Sequence, residues 1–239
     1  RYPGQIAAVI LEPSTSVEPS PGFLQDVVSI SRANGAVSIF DEMITGFRWS
    51  LRGASDFYGA IPDLKTFGKA MANGFSVAAL GGRREIMNLG GIKHNEERVF
   101  LISTTHGAEM CGLGAFRQVL KIYKEEDVTS HLWKIGNTLI QGLNSAAARH
   151  KLSETFYCGG ASCSPLYYFK DQEGKVSQPL RTLFMQEMVK KGVLIPWISL
   201  SYAHQKEHIE RTVEAASEAF DVINRAMSDG VERYLLGSP

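Results

Sequence analysis

Two chemically reactive side chains follow short apolar segments of this 239-residue chain. Asp41 ends the run of residues 37–41, and Lys69 comes directly after the segment 64–68. Short β-prone runs bounded by turn residues are typical of buried strands in an α/β sheet. Chemistry in such sheets collects at the carboxyl ends of the strands. The pattern therefore predicts a carboxylate and an amine at one edge of a sheet.

Two kinds of chemistry fit this pair. The plainer one is a structural ion pair between Asp41 and Lys69. The other is pyridoxal phosphate (PLP) chemistry, in which a lysine amine forms a Schiff base with the cofactor aldehyde and an acid pairs with the pyridine nitrogen. The acid keeps that nitrogen protonated, so that the ring accepts electrons from a carbanion. Gly68 and Ala70, on either side of Lys69, predict room for a flat ring close to the backbone.

The sequence around both residues resembles that of a known enzyme family. Residues 39–48 (IFDEMITGFR) resemble the segment of class III aminotransferases that carries the ring-nitrogen aspartate. Residues 67–74 (FGKAMANG), followed by residues 79–83 (ALGGR), resemble their lysine segment. Within the family the chain is most similar to the branch of glutamate-1-semialdehyde 2,1-aminomutases, and the resemblance extends over essentially the whole chain.

The resemblance implies a fold and an assembly. The fold would be the α/β architecture of fold type I PLP-dependent transferases. Residues 1–124 would form the C-terminal part of the large domain, with its mostly parallel sheet, and residues 125–239 a small α+β domain. The resemblance further implies a homodimer that acts on a small-molecule amine or amino acid.

The resemblance also assigns roles to the two reactive residues. Lys69 would hold the cofactor and, once freed, would move a proton between the substrate carbon and the cofactor C4′, which is general acid–base work by an amine. Asp41 would pair with the pyridinium nitrogen. Both roles agree with the chemistry that the residue types suggest by themselves.

Hydroxyl groups at residues 103–105 come directly before a predicted helix. Such groups usually cap the helix, but the free N–H groups and the dipole at a helix start also suit an anion. In the family that the chain resembles, a threonine at this place binds the cofactor phosphate of the other subunit. The resemblance implies this role for Thr104, and Thr105 competes with it because the family's residues after the threonine are not kept here.

The chain departs from the family in two ways. The N-terminal portion that cups the phosphate and stacks an aromatic on the ring is not present, so we expect the C-terminal part of a longer gene product with exposed sheet edges. The loop between Pro196 and the segment 201–204 is short, with neither the glutamate of the aminomutases nor the carboxylate-binding arginine of related transaminases. Trp197 in this loop would line the substrate pocket, or else lie in the core or an interface.

Composition and charge narrow the class of protein. Hydrophobic residues make up 44% and charged residues 21% of the chain, which predicts a packed globular core. The formal net charge is zero and no basic patch stands out, so nucleic acid is not an expected partner. No apolar run approaches the roughly 20 residues of a membrane span. The three cysteines have no metal-ligand spacing, which predicts reduced thiols, no metal site and a cytoplasmic protein.

Several functions stay open from the sequence. The leading one is PLP-dependent amino-group transfer like that of glutamate-1-semialdehyde 2,1-aminomutase. The second is an intermolecular aminotransferase that acts on an amino sugar or another atypical amine. A hypothesis of another class is a non-catalytic binding or assembly module derived from such an enzyme, and a generic α/β domain without a cofactor is the last.

Apolar periodicity predicts the secondary structure. Strands are predicted at residues 6–11 (buried), 37–41, 77–80, 99–102, 166–169 and 193–195, with a tight turn at 81–82. Helices are predicted to begin near residues 21, 110, 128 and 180, and a last helix is predicted to include residues 209–227.

Overall fold

The computed structural model describes residues 2–97, 99, 107 and 109–237. The chain divides into two compact units, Arg1–Thr129 and Ser130–Pro239. Residues 100–102 of the strand predicted at 99–102 lie outside the described residues. Assignment of the two units to a large and a small domain of the family is a proposal.

The first unit is built around a four-stranded sheet. Its elements are β1 (Ala8–Leu11), α1 (Phe23–Ala33), β2 (Val37–Asp41), α2 (Ala54–Phe57), β3 (Leu64–Phe67), a 3₁₀ turn (Lys69–Met71), β4 (Ala79–Gly82), α3 (Arg84–Asn88) and α4 (Met110–Glu125). The strand order is β1-β2-β3-β4, in which β1, β2 and β3 are parallel and β4 is antiparallel to β3. The sheet is therefore mostly parallel, as predicted.

Strand β1 is exposed, and the prediction of a buried strand is wrong. Among the described strands it pairs with β2 alone, and its residues alternate between exposed and partly exposed. Ile10 keeps 63% of its surface exposed. The apolar run correctly predicted a strand. The burial of that strand depends on which elements pack against it, and the local sequence does not reveal them.

Gly81 and Gly82 do not form the predicted turn. Both lie inside β4, where Gly82 is opposite Leu64 of β3. A Cβ atom on Gly82 would lie 2.2 Å from the backbone carbonyl oxygen of Asp63. Glycine in a strand often marks such a close approach of two backbones, so Gly82 serves strand packing here.

The two faces of the sheet carry different residues near β2. Phe40 is fully buried and packs with Leu24 and Val28 of α1. Successive residues of a strand point to opposite faces, so Asp41 lies on the face opposite the one that α1 covers. A second cluster joins Phe47, Met71 and Val119, and it anchors the chain just after Lys69.

The second unit consists of helices and a hairpin. Its elements are α5 (Val128–Arg149), β5 (Phe156–Gly159), β6 (Leu166–Phe169), α6 (Gln178–Lys190), α7 (Lys206–Asp229) and a 3₁₀ turn (Val231–Arg233). Strands β5 and β6 pair antiparallel. A core of aromatic rings holds the hairpin to the helices: Phe156, Phe169, Phe184 and Phe220. No helix in the described part of the chain combines the length and the apolarity needed to cross a membrane.

The strand predicted at residues 193–195 is not formed. The backbone carbonyl of Ile195 accepts a hydrogen bond from the Tyr167 hydroxyl at 2.6 Å, so a side chain takes the place of a partner strand. Leu194 is 80% exposed. Strand β5, which the sequence analysis did not predict, supplies the second strand of the hairpin instead.

The buried carboxylate of Asp63 connects four elements of the first unit. It accepts hydrogen bonds from the Ser38 backbone N–H at 2.9 Å and the Ser38 hydroxyl at 2.6 Å. Its Oδ1 atom lies 3.1 Å from both the Arg32 and the Arg83 guanidinium groups. Burial by itself would raise the pKa of Asp63, but the hydrogen bonds from Ser38, Arg83 and Arg32 together hold it well below its ordinary value.

Replacement of Asp63 by asparagine should lower the free energy of unfolding by about 2 kcal/mol at neutral pH, because one amide cannot satisfy all four donors. Since folding lowers the pKa of Asp63, its stabilisation is complete above the ordinary value of 3.8 and is lost as the pH falls through the folded-state value. The difference between wild type and Asp63→Asn should therefore shrink below about pH 4. Urea unfolding across this pH range measures it.

The control is Asp26→Asn, which changes an exposed carboxylate of α1. It should change the stability by less than about 0.5 kcal/mol. A loss in Asp63→Asn that stays constant down to acidic pH would contradict the ionised network.

Candidate active site

The structure places Asp41 and Lys69 at the same edge of the sheet. Asp41 is the last residue of β2 and is opposite Thr66 of the parallel strand β3. Lys69 begins the 3₁₀ turn that follows β3. The carboxyl ends of neighbouring parallel strands thus bring the two residues to one edge of the sheet, as the sequence predicts.

The carboxylate of Asp41 is bonded on one oxygen only. Its Oδ1 atom accepts a hydrogen bond from the Met43 backbone N–H at 2.9 Å and one from the Thr66 hydroxyl at 3.1 Å. No described residue donates a hydrogen bond to Oδ2. The carboxylate is therefore fixed in orientation and still has an oxygen that can accept a bond from a ligand.

The side chain of Lys69 is exposed and forms no ion pair with Asp41, so the alternative of a structural ion pair is wrong. Its backbone has φ = 43°, in the left-handed region that costs an L-residue about 1 kcal/mol. Burial of Met71 and Ala72, at 5% and 1% exposure, holds the turn in place. The amine is thus presented to solvent from a rigid turn.

Gly68 does not leave the open space that the sequence analysis expected. A Cβ atom at this position would lie 2.6 Å from the Met43 sulfur. Glycine here allows Met43 to pack against the chain just before Lys69.

Glu42, the neighbour of Asp41, is completely buried at 0% exposure. It accepts hydrogen bonds from the backbone N–H groups of Ala54 and Ser55, at 2.8 and 2.9 Å, and from the Thr45 hydroxyl. Gly53 is needed beside it, since a Cβ atom there would lie 2.2 Å from Oε2. Glu42 therefore fixes the loop that follows Asp41.

Two predicted features have different outcomes. Thr104 and Thr105 lie outside the described residues, so their role in binding phosphate stays a prediction. Trp197 is 79% exposed, which contradicts a core position, and the Arg181 guanidinium lies 5.7 Å from its ring centroid.

A groove in the first unit does not coincide with the predicted site. It has a volume of about 580 Å³. Its lining includes Phe47, Phe67 and Phe116, with Arg52 and Lys65 also present, but neither Asp41 nor Lys69. This groove does not locate the pair, which is recognised by its chemistry and its position on the sheet.

Thr66 and Glu42 were not identified as site residues from the sequence. Glu42 is adjacent to Asp41. Nothing in the surrounding sequence shows that its side chain is buried and accepts a hydrogen bond from Ala54, 12 residues later in the chain. Thr66 lies three positions before Lys69. Knowledge of the β2–β3 register would have placed it opposite Asp41.

The chain matches a known family and several relatives. The model for Aminotransferase class-III matches residues 1–220, so the chain belongs to the class III aminotransferase family. A glutamate-1-semialdehyde 2,1-aminomutase of Syntrophobacter fumaroxidans is 33% identical over 231 residues, covering 90% of this chain and 52% of the relative. One of Methanothermobacter thermautotrophicus is 36% identical over 228 residues, with 89% and 53% covered. The chain thus spans about half the length of these relatives.

Solved structures show the same fold. The FumI protein of Sphingopyxis sp. MTA144, in its PLP internal aldimine form, has a TM-score of 0.83 at 23% identity, covering 95% of this chain and 54% of that one. A glutamate-1-semialdehyde-aminomutase of Pseudomonas aeruginosa PAO1 in complex with PMP has a TM-score of 0.72 at 19% identity, covering 92% and 53%. The chain has part of the fold type I architecture, and the predicted fold class is confirmed.

Replacement of Glu42 by glutamine should lower the free energy of unfolding by about 2 kcal/mol, because the amide NH₂ must face one of two backbone N–H donors. Urea unfolding followed by tryptophan fluorescence measures the loss, since Trp49 is buried in the same loop region. The control is Glu18→Gln at an exposed position. Equal stability of the two variants would show that the buried carboxylate is not needed in its ionised form.

Proposed function

We propose that the protein carrying this chain is a PLP-dependent enzyme of amino-group transfer. The observation that supports this most directly is that Asp41 and Lys69 lie at the same edge of the sheet. Asp41 has an oriented carboxylate whose Oδ2 receives no hydrogen bond from a described residue, and Lys69 has an exposed amine. Membership in the class III aminotransferase family supports the same conclusion. A generic α/β domain without a cofactor has no use for this pair.

The residues present fit the chemistry of the cofactor. PLP, when bound, supplies an aldehyde that reacts with amines and a protonated pyridine ring that accepts electrons from the substrate carbon. Asp41 has an oxygen to which no described residue donates, which suits a protonated ring nitrogen. Lys69 has an amine that no described residue engages, which suits attachment to an aldehyde.

Each residue then has a defined task. The Nζ atom of Lys69 would hold the cofactor and, once freed, would accept and return the proton of the substrate carbon. The Oδ2 atom of Asp41 holds the proton on the ring nitrogen by charge and hydrogen bonding. Thr104, or Thr105 in its place, binds the cofactor phosphate of the partner subunit in the homodimer that we propose.

The favoured reaction is an intramolecular exchange like that of glutamate-1-semialdehyde 2,1-aminomutase. Relatives with this name at 33% and 36% identity support it. The alternative is transfer between two molecules, with an amino sugar or another atypical amine as substrate. The segment between Pro196 and Ser201 favours this alternative, because it has no acidic residue and is short.

We further propose the domain roles and the cellular setting. The first unit would be part of the large cofactor-binding domain and the second would be the small domain. The substrate would be a small-molecule amine or amino acid, and the protein would work in the cytoplasm. Cys158 is buried and Cys111 is exposed, and neither thiol forms a disulfide bond in the structure. This agrees with a reducing compartment.

The full-length protein should keep a yellow absorption band after unbound PLP is dialysed away, and in Lys69→Ala borohydride should fix no cofactor to the protein, because the amine that attaches it is lost. Asp41→Asn should keep the band but slow turnover at least about 100-fold, because the neutral amide does not hold the ring proton. The matched control is Lys65→Ala, which removes an amine four positions earlier in the same segment. Borohydride fixation of the cofactor in Lys69→Ala would refute the role of Lys69, and no band in the wild type would refute the PLP assignment.

The two reaction types differ in their need for a second substrate. An aminomutase should convert glutamate-1-semialdehyde to its isomer without any added keto acid. An intermolecular aminotransferase should stop after one turnover per site until a keto acid is added. Product analysis with and without the keto acid separates them, and a protein that binds PLP but bleaches with no amine would favour the non-catalytic binding module.

A further inference from the structure

Two donors of different origin hold the carboxylate of Asp41. The Met43 N–H belongs to the loop that follows Asp41, two residues further along. The Thr66 hydroxyl belongs to the neighbouring strand β3, which leads into Lys69. Among the described residues, Thr66 is the only one whose side chain ties Asp41 to that strand.

We propose that Thr66 is a positioning residue for the cofactor: its hydroxyl holds Oδ1 of Asp41 so that Oδ2 faces the pyridine nitrogen. This inference rests on the proposed function and assigns to it a residue outside the reacting pair. Thr66 itself touches neither the substrate nor the ring. It acts through Asp41 alone.

Thr66 is suited to this task by its rigid attachment. Its backbone carbonyl accepts a hydrogen bond from the Glu42 N–H at 3.0 Å, and it pairs with Asp41 across the parallel ladder. A threonine side chain has a restricted χ1 angle, whereas the terminal torsion of an aspartate is broad. The hydrogen bond from the rigid Thr66 side chain therefore limits the rotation of the Asp41 carboxylate.

The two buried carboxylates of the first unit, Asp63 and Glu42, show what a purely structural role looks like. Asp63 has donors on both oxygens, with the arginines on Oδ1 and Ser38 on Oδ2. Glu42 also has donors on both, with Ser55 on Oε1 and Ala54 on Oε2. Asp41 differs because both of its described donors share Oδ1. That asymmetry leaves one oxygen in a fixed direction, as recognition of a ligand proton requires.

The test compares two substitutions at residue 66 in the full-length protein. Thr66→Val keeps the shape and removes the hydroxyl, and it should weaken PLP binding about tenfold, a size typical of a hydrogen bond to a charged group. Thr66→Ser keeps the hydroxyl and should stay within about twofold of wild type. Equilibrium dialysis gives the dissociation constants. Thr138→Val is the control, since it removes a hydroxyl that bonds only to the backbone of α5.

A double-mutant cycle separates positioning from a general structural effect. In an Asp41→Ala background, Thr66→Val should cause no further loss of PLP affinity, because there is no carboxylate to orient. Asp41→Asn replaces the alanine variant if that one does not fold. In the wild-type background, kcat should fall with Thr66→Val while the substrate KM stays unchanged.

The outcomes are distinguishable. Wild-type affinity in Thr66→Val would overturn the role of Thr66 and leave the proposed function intact. An equal loss in both backgrounds would also overturn it, since the effect would not pass through Asp41. A wild-type full-length protein that binds no PLP would overturn both proposals together.

Discussion

The parallel pairing of β2 with β3 is the constraint on which the candidate site depends. Its register sets Asp41 opposite Thr66 and leads the chain from Thr66 to Lys69 at the same edge. Side chains alternate between the two faces of a sheet, so a slip by one residue would move Thr66 to the wrong face. The carboxylate would then lose its bond to β3, and the geometric link between the acid and the amine would be lost with it.

Buried carboxylates stabilise this register from both sides. Asp63 precedes β3 and binds Ser38 of β2, while the arginines on its other oxygen come from α1 and from the residue after β4. Glu42 follows β2 and binds the start of α2. Breaking a buried, hydrogen-bonded charge by removing its partners costs several kcal/mol. The strands are therefore held at their beginning and at their end, and the edge of the sheet that carries Asp41 and Lys69 is supported on both sides.

Some of this arrangement was predictable from the sequence and some was not. The strand ending in Asp41 and the reactive Lys69 were found because apolar runs and turn residues are local signals. The exposure of β1, the close approach at Gly82 and the missing strand at residues 193–195 depend on what each segment packs against. Thr66 was not predicted as a site residue for the same reason, since its partner Asp41 is distant in sequence. The local sequence around a threonine in a strand does not show whether its hydroxyl bonds to a carboxylate or to water.

The backbone of Lys69 has a consequence for how this site trades stability against activity. Its left-handed conformation (φ = 43°) is one that glycine adopts without penalty and lysine does not. Glycine at this position would relieve about 1 kcal/mol of strain and would also remove the amine. Selection for thermal stability alone would therefore act against the residue that the proposed chemistry requires, and the packing of Met71 and Ala72 supplies the energy that offsets this strain.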